Sequence, residues 1–108
     1  MLRSIQRLLT ASRFAVEAFA SAEAFLDRNQ DSQLACLVLD IRLAGMSGLD
    51  LRRRLTAAGS SLPVIFITAS GDENLKAAAI SLHCAAYLQK PFPPEALIAA
   101  VTSALRDR

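Results

Sequence analysis

Three short apolar runs most strongly limit how this chain can fold. The segments ACLVLD (35–40), PVIFIT (63–68) and AAYLQ (85–89) are almost continuously apolar rather than alternating between apolar and polar residues. Runs of this kind are typical of strands that are buried on both faces, as in parallel sheets covered by helices. Helical patterns separate the three runs. The chain is therefore predicted to be an α/β domain with a doubly wound parallel sheet in a three-layer sandwich.

The remaining segments predict a fourth strand and five helices. FAVEAF (14–19) is short, aromatic and β-branched, which favours a strand. Ser21 and Ser47 each precede a helical pattern and are expected to cap it, and Gly59 is expected to end the second of these helices in the left-handed conformation. Helices are predicted over residues 2–12, from Ser21, over about 48–58, from Gly71 or Asp72, and from Pro93 and Pro94.

Composition narrows the class of protein. The 108 residues, 53% of them hydrophobic and 20% charged, suit a single globular domain. A net charge of +2 is too balanced to predict binding to nucleic acid or to an anionic membrane.

The basic run 52–54 is interpreted as the solvated face of a helix rather than a phosphate-binding patch. Cys36 and Cys84 lack a metal-binding spacing, which favours free thiols in the cytoplasm. No apolar run is long enough to cross a membrane.

Polar residues stand where the three apolar runs end. Asp40 ends the first run, Thr68 ends the second, and Lys90 directly follows the third. Each residue alone is ordinary, because aspartate caps turns, threonine favours strands and lysine is usually solvated. In a parallel sheet, however, the carboxyl ends of the strands share one edge, where ligands bind in such folds. The joint pattern therefore predicts a functional site.

The three side chains suit phosphoryl transfer. A carboxylate can act as a nucleophile toward a phosphoryl group and form an acyl phosphate. Lys90 supplies positive charge for the phosphoryl oxygens, and Thr68 supplies a hydroxyl donor. A magnesium ion usually supplies the remaining charge in such reactions.

At these residues the chain resembles the receiver domain of two-component response regulators, particularly the branch of the nitrogen-fixation regulators of rhizobia. The resemblance rests on LVLDIRLAGMSGLDL, VIFITASGD and YLQKPF in the family's order and spacing. It implies that Asp40 accepts a phosphoryl group from a histidine kinase and that Lys90 is its charge partner. It also implies that Thr68 is the switch hydroxyl, Tyr87 the switch aromatic, and Arg42 the residue whose backbone carbonyl binds magnesium. The resemblance further implies a cis peptide bond between Lys90 and Pro91.

The chain departs from the family at its start. Receiver domains begin with a central strand that ends in two acidic residues, but Met1 stands where the first helix begins. The sequence thus predicts one receiver domain over residues 1–108 that is truncated at its N-terminus, with weakened Mg²⁺ binding because one carboxylate and one carbonyl make a poor site. Three explanations stay open: a gene start further upstream, a fragment or decayed copy, and a receiver that acts by binding alone. His83 also replaces the family's glycine at a helix end, which predicts strain if the backbone there has positive φ.

Three functions compete. The first is a phosphorylated signalling domain rather than an enzyme, with its partner surface at about residues 64–108. The second is a phosphatase similar to the haloacid dehalogenases, although Arg42 stands where that family needs a second acid. The third is an interaction module that needs no phosphorylation. The expected partners are a sensor histidine kinase and a second copy of the chain, which would bind through the 64–108 face or through the uncovered sheet edge. Nucleic acid and membranes are not expected partners.

Overall fold

A computed structural model describes residues 2–19, 21–27, 34–41, 45–69 and 71–106. Five helices and three strands lie in these ranges. In chain order the elements are α1 (Leu2–Ala11), α2 (Ala22–Leu26), β1 (Leu37–Asp40), α3 (Gly48–Ala57), β2 (Val64–Thr68), α4 (Glu73–Ser81), β3 (Ala86–Gln89) and α5 (Pro94–Arg106). The predicted α/β class and the five helices are confirmed.

The strands form one parallel sheet in the order β1-β2-β3. All five residues of β2 are buried, as a continuously apolar central strand requires. Asp40 is paired with Ile67, and Thr68 with Gln89. The three strands therefore end at nearly the same level along the sheet, which brings their carboxyl ends to one edge.

The predicted strand over residues 14–19 is not a strand of the sheet in the described part of the chain. Its apolar residues are nevertheless half-buried, since Phe14 and Val16 pack against the same cluster as Val38. The apolar pattern thus predicted burial correctly but strand pairing incorrectly. A strand needs a hydrogen-bonded neighbour, and an apolar pattern along one segment does not supply one.

Two apolar clusters cover the two faces of the sheet. On one face Leu39 and Phe66 pack with Phe25 of α2 and Leu51 of α3. The second cluster lies on the opposite face and comes from both strands and helices; its buried members are Leu9, Ile65, Leu97, Val101 and Ala104. Helices therefore lie on both faces of the sheet, as predicted.

The predicted helix ends are confirmed where the structure describes them. The Ser21 hydroxyl accepts a hydrogen bond from the Ala24 amide at 3.0 Å, and the Ser47 hydroxyl accepts one from the Asp50 amide at 3.1 Å. Gly59 has φ +83° directly after α3. These contacts satisfy backbone groups that have no partner inside the helix.

The two cysteines are free, as the sequence predicts. Burial raises the pKa of the Cys36 thiol from 9.0 to about 11. The pKa of the Cys84 thiol is also raised, chiefly by burial. Both side chains therefore behave as small, protonated, apolar groups.

No helix among the described residues is long and apolar enough to cross a membrane.

Candidate functional site

The carboxyl edge of the sheet brings the ends of all three strands together. Asp40 ends β1, Thr68 ends β2, and Lys90 follows the last residue of β3. The Lys90 amide donates a hydrogen bond to the Thr68 carbonyl at 2.7 Å, so the pairing of β2 with β3 continues one residue past the strand. The structure thus places Asp40, Thr68 and Lys90 at one edge of the sheet.

Asp40 and Lys90 form a direct ion pair across the end of the central strand. The Lys90 Nζ atom lies 2.9 Å from Asp40 Oδ2, and the two side chains are 24% and 18% exposed. Parallel pairing explains the contact. Asp40, Ile67 and Leu88 lie at one level and on one face, and Lys90 follows Leu88 by two residues, so it returns to that face. The predicted cis peptide bond between Lys90 and Pro91 is present.

Thr68 and Tyr87 lie on the opposite face of the sheet from Asp40. Thr68 is fully buried, and its pairing partner Gln89 follows Tyr87 by two residues, so these three side chains share one face. Tyr87 packs against the cluster that contains Phe66. The hydroxyl and the aromatic ring that the resemblance relates to each other are therefore on the same side of the sheet.

Tyr87 also borders a small cavity of about 170 Å³ at the start of α4. Burial raises the pKa of the Tyr87 phenol, and the carboxylates of Glu73 and Asp72 raise it further. The phenol hydroxyl of Tyr87 therefore stays protonated, and the side chain stays neutral, into the alkaline range. The cavity is lined by Gly71, Asp72, Glu73, Lys76, Tyr87 and Gln89.

Backbone hydrogen bonds join Ile41, which directly follows Asp40, to β2 and to the start of α3. The Ile41 amide donates to the Ile67 carbonyl at 2.9 Å, and the Gly48 amide donates to the Ile41 carbonyl at 3.0 Å. A Cβ atom on Gly48 would lie 2.6 Å from the Asp40 carbonyl oxygen. The first residue of α3 must therefore be a glycine for the helix to approach the strand so closely.

Sequence reasoning missed one contact of the segment between β1 and α3. The Glu23 carboxylate accepts a hydrogen bond from the Met46 amide at 3.0 Å, across 23 positions of the chain. Glu23 is also an acidic residue in the first turn of α2, where a negative charge is favourable. No spacing in the sequence indicates a long-range contact of this kind.

The described residues do not form a complete magnesium site. Among them there is no group of three or more histidine, cysteine, aspartate or glutamate side chains that could hold a metal ion. Asp40 supplies a carboxylate at the edge where the ion is expected, but Mg²⁺ prefers six oxygens in octahedral array. Arg42, the predicted source of a carbonyl ligand, lies outside the described residues.

The interpretation of residues 52–54 as a solvated face is wrong for Arg52. Its guanidinium donates from Nη1 to the Leu62 carbonyl at 3.0 Å and from Nε to the Leu82 carbonyl at 3.3 Å. Arg53 is exposed and pairs with Asp50 in the same helix, at 2.9 Å. Arg52 therefore connects α3 to the segments before β2 and after α4.

Residues 1–102 match the model of the response regulator receiver domain. The response regulator protein TodT of Pseudomonas putida is 37% identical over 106 residues, covering 98% of this chain and 47% of TodT. The transcriptional regulatory protein FixJ of Azorhizobium caulinodans is 42% identical over 102 residues, covering 94% of this chain and 48% of FixJ. The chain thus spans about half the length of these relatives.

Solved structures agree with the sequence matches. The structure of the FixJ N-terminal domain superposes with a TM-score of 0.89 at 34% identity, covering 98% of this chain and 85% of that one. The BeF3-activated receiver domain of DrrB gives a TM-score of 0.84 at 27% identity, with 97% and 87% coverage. From its strand order, its edge residues and these matches, the chain belongs to the response regulator receiver domain family, in the branch similar to FixJ.

Proposed function

We propose that this chain is a phosphoacceptor domain in which Asp40 receives a phosphoryl group from a sensor histidine kinase. The observation that carries the proposal is the ion pair between Asp40 and Lys90 at the carboxyl edge of the sheet, 2.9 Å long and partly shielded from water. A carboxylate oxygen at this edge can serve as the nucleophile toward a phosphoryl group. Membership of the receiver family supports the same role.

In the proposed step, one Asp40 carboxylate oxygen attacks the phosphorus of a phosphohistidine. The new bond joins that oxygen to phosphorus, and the phosphorus–nitrogen bond breaks with its electron pair going to the imidazole of the kinase. The Lys90 ammonium then has both the carboxyl group and the phosphoryl oxygens within its reach, which offsets the added negative charge. The product is an acyl phosphate on Asp40.

The signal is proposed to pass through Thr68 and Tyr87. The Thr68 hydroxyl would move toward the phosphoryl oxygens, and the Tyr87 ring would turn inward into the space released. Thr68 and Tyr87 lie on the same face of the sheet, and this supports a coupled movement of the two side chains. The affected surface is formed by β2, α4, β3 and α5, within residues 64–108.

Receiver domains of this family typically bind Mg²⁺. Asp40 and the Arg42 carbonyl are the proposed ligands in this chain. The described residues contain no cluster of three or more acidic, histidine or cysteine side chains that could hold the ion, so we expect weaker binding than a receiver with an acidic pair would show.

The proposed partners are a sensor histidine kinase and a second copy of the chain. The second copy would bind through the 64–108 face or along β1, which has only one neighbouring strand among the described residues. Direct binding of this chain to nucleic acid is not proposed, because its charge is balanced. The proposed location is the bacterial cytoplasm, where both free thiols are stable.

The test is intact-protein mass spectrometry after incubation with a small acyl-phosphate donor and Mg²⁺. We expect one phosphoryl adduct on the natural chain and none on Asp40→Asn. Asp27→Asn is the matched control, since it neutralises an exposed aspartate at the end of α2 and should leave the adduct unchanged. Beryllium trifluoride, with which the DrrB receiver domain was activated, gives a second readout by stabilising the natural chain more than Asp40→Asn.

Two results would contradict the proposal. An adduct that persists in Asp40→Asn would place the acceptor elsewhere. A folded sample with no adduct and no stabilisation by beryllium trifluoride would favour an interaction module that needs no phosphorylation. Release of more than one phosphate per chain would instead favour a phosphatase.

A further inference from the structure

We propose that Glu23 is a positioning residue for Asp40, and that it acts by fixing the loop between β1 and α3. This inference rests on the proposed function, because its consequence for chemistry is the rate at which Asp40 is phosphorylated. Its consequence for structure can be measured without phosphorylation.

The Glu23 carboxylate lies close against the Gly45–Met46 backbone. Glu23 Oε1 accepts the Met46 amide at 3.0 Å. A Cβ atom on Gly45 would lie 2.7 Å from Glu23 Oε2 and 3.3 Å from Oε1, so both carboxylate oxygens face the Gly45–Met46 backbone. Gly45 has φ +78°, a conformation that favours glycine. The backbone is therefore shaped to receive this carboxylate.

The helix that carries Glu23 is anchored in the apolar core. The residue itself is exposed, but Ala22 and Phe25 of the same helix are 1% and 2% exposed and belong to the apolar core. The Ser21 cap fixes the start of the helix. A carboxylate on so firmly packed a short helix holds its position, and a hydrogen bond to a charged acceptor is stronger than a neutral one.

The Met46 backbone is connected to Asp40 through the start of α3. Met46 lies two residues before Gly48, and the Gly48 amide donates a hydrogen bond to the carbonyl of Ile41, which directly follows Asp40. Movement of Met46 therefore shifts the backbone from which the Asp40 side chain projects. A small displacement of a reacting group strongly lowers the rate of its reaction.

The experiment compares Glu23→Ala, Glu23→Gln and Glu95→Ala with the natural chain. Glutamine keeps an oxygen acceptor for the Met46 amide. Glu23→Gln should therefore retain most of the amide protection and most of the phosphorylation rate of the natural chain. Glu95 is the matched control, because it is the second residue of α5 as Glu23 is of α2 and makes no hydrogen bond or ion pair in the described part of the chain. The readouts are the rate of the Asp40 adduct with an acyl-phosphate donor and the exchange rates of the Met46, Gly48 and Ile41 amides by NMR.

We expect Glu23→Ala to slow adduct formation about tenfold and to speed exchange at all three amides. Glu23→Gln and Glu95→Ala should stay close to the natural chain in both readouts. The inference is overturned if Glu23→Ala leaves the Gly48 and Ile41 amides unchanged, if Glu95→Ala has an equal effect, or if Glu23→Gln restores Met46 protection without restoring the rate.

The amide measurements separate this inference from the proposed function. If the natural chain forms no adduct, the proposed function fails. Exchange at Gly48 and Ile41 then still decides whether Glu23 holds the backbone beside Asp40.

Discussion

His83 and Arg13 hold a backbone conformation that their side chains disfavour. Their φ angles are +57° and +72°, in the left-handed region where a Cβ atom crowds the following carbonyl oxygen. His83 follows α4 at the position where the family usually has glycine. The strain predicted for a non-glycine residue at positive φ therefore applies to this residue.

We predict that His83→Gly raises the free energy of unfolding by about 0.5–1 kcal/mol, because relief of the left-handed strain exceeds the entropy that glycine adds to the unfolded chain. Urea unfolding followed by circular dichroism measures it. His83→Ala is the control, since alanine keeps the Cβ atom and should give no such gain. Equal gains from the two variants would show that loss of the imidazole, and not of the Cβ atom, is responsible.

At Gly48 the backbone of Asp40 leaves no room for any side chain. A Cβ atom there would meet the Asp40 backbone carbonyl at 2.6 Å, and backbone atoms cannot move aside as a flexible side chain can. We predict that Gly48→Ala lowers the free energy of unfolding by about 1–3 kcal/mol and slows phosphorylation of Asp40.

The control for this prediction is Gly71→Ala. A Cβ atom at Gly71 would lie 3.2 Å from Gln89 Nε2, the end of a flexible side chain that can shift. Denaturant unfolding should show little change for this variant. If Gly71→Ala lowers the free energy of unfolding as much as Gly48→Ala does, steric contact with the Asp40 backbone is not the cause of the destabilisation.

At the scale of elements, one arginine connects segments that the sheet leaves separate. Arg52 of α3 donates to carbonyls of Leu62, before β2, and Leu82, after α4. Leu82 is the C-terminal cap of α4, where carbonyl groups lack partners within the helix. The guanidinium thus satisfies one helix end while it holds α3 against it.

We predict that Arg52→Ala lowers the free energy of unfolding by about 1–3 kcal/mol, because two carbonyls lose a charged donor. Arg54→Ala is the control, since Arg54 is exposed in the same helix and its loss should change stability little. Unfolding by urea measures both variants. Equal losses would indicate that the positive charge of α3, rather than these contacts, stabilises the fold.

At the scale of the whole molecule, three half-buried groups make the stability of the fold depend on pH in the alkaline range: the thiols of Cys36 and Cys84 and the phenol of Tyr87. The pKa of Cys36 is raised to about 11 by burial, and those of Cys84 and Tyr87 are raised as well. A group with a raised pKa in the folded protein stabilises the fold below its unfolded pKa. That contribution is lost as pH rises, because the unfolded chain releases the proton first.

We therefore predict that the free energy of unfolding falls between about pH 9 and 11, the unfolded and folded pKa values of Cys36. Cys36→Ala should make the fall shallower, and Cys84→Ala should do so less. Urea unfolding at a series of pH values measures the slopes. Identical slopes in the natural chain and Cys36→Ala would contradict the prediction.

The sequence by itself determined the order of elements, the helix ends and the edge residues. Continuous apolar runs are local signals of doubly buried strands, and serine, aspartate and glycine at helix ends act on backbone groups a few positions away. Asp40, Thr68 and Lys90 could be predicted to meet because parallel strands end at a common edge.

Only the tertiary structure decided which groups touch across long separations. The pattern of residues 14–19 predicted burial, but strand formation depends on a hydrogen-bonded neighbour, which no local pattern supplies. The Glu23–Met46 contact, the close approach at Gly48 and the two carbonyls bound by Arg52 likewise depend on how packed helices meet loops. Contacts of this kind leave no periodic trace in the sequence, because each is made once and between residues whose distance along the chain is arbitrary.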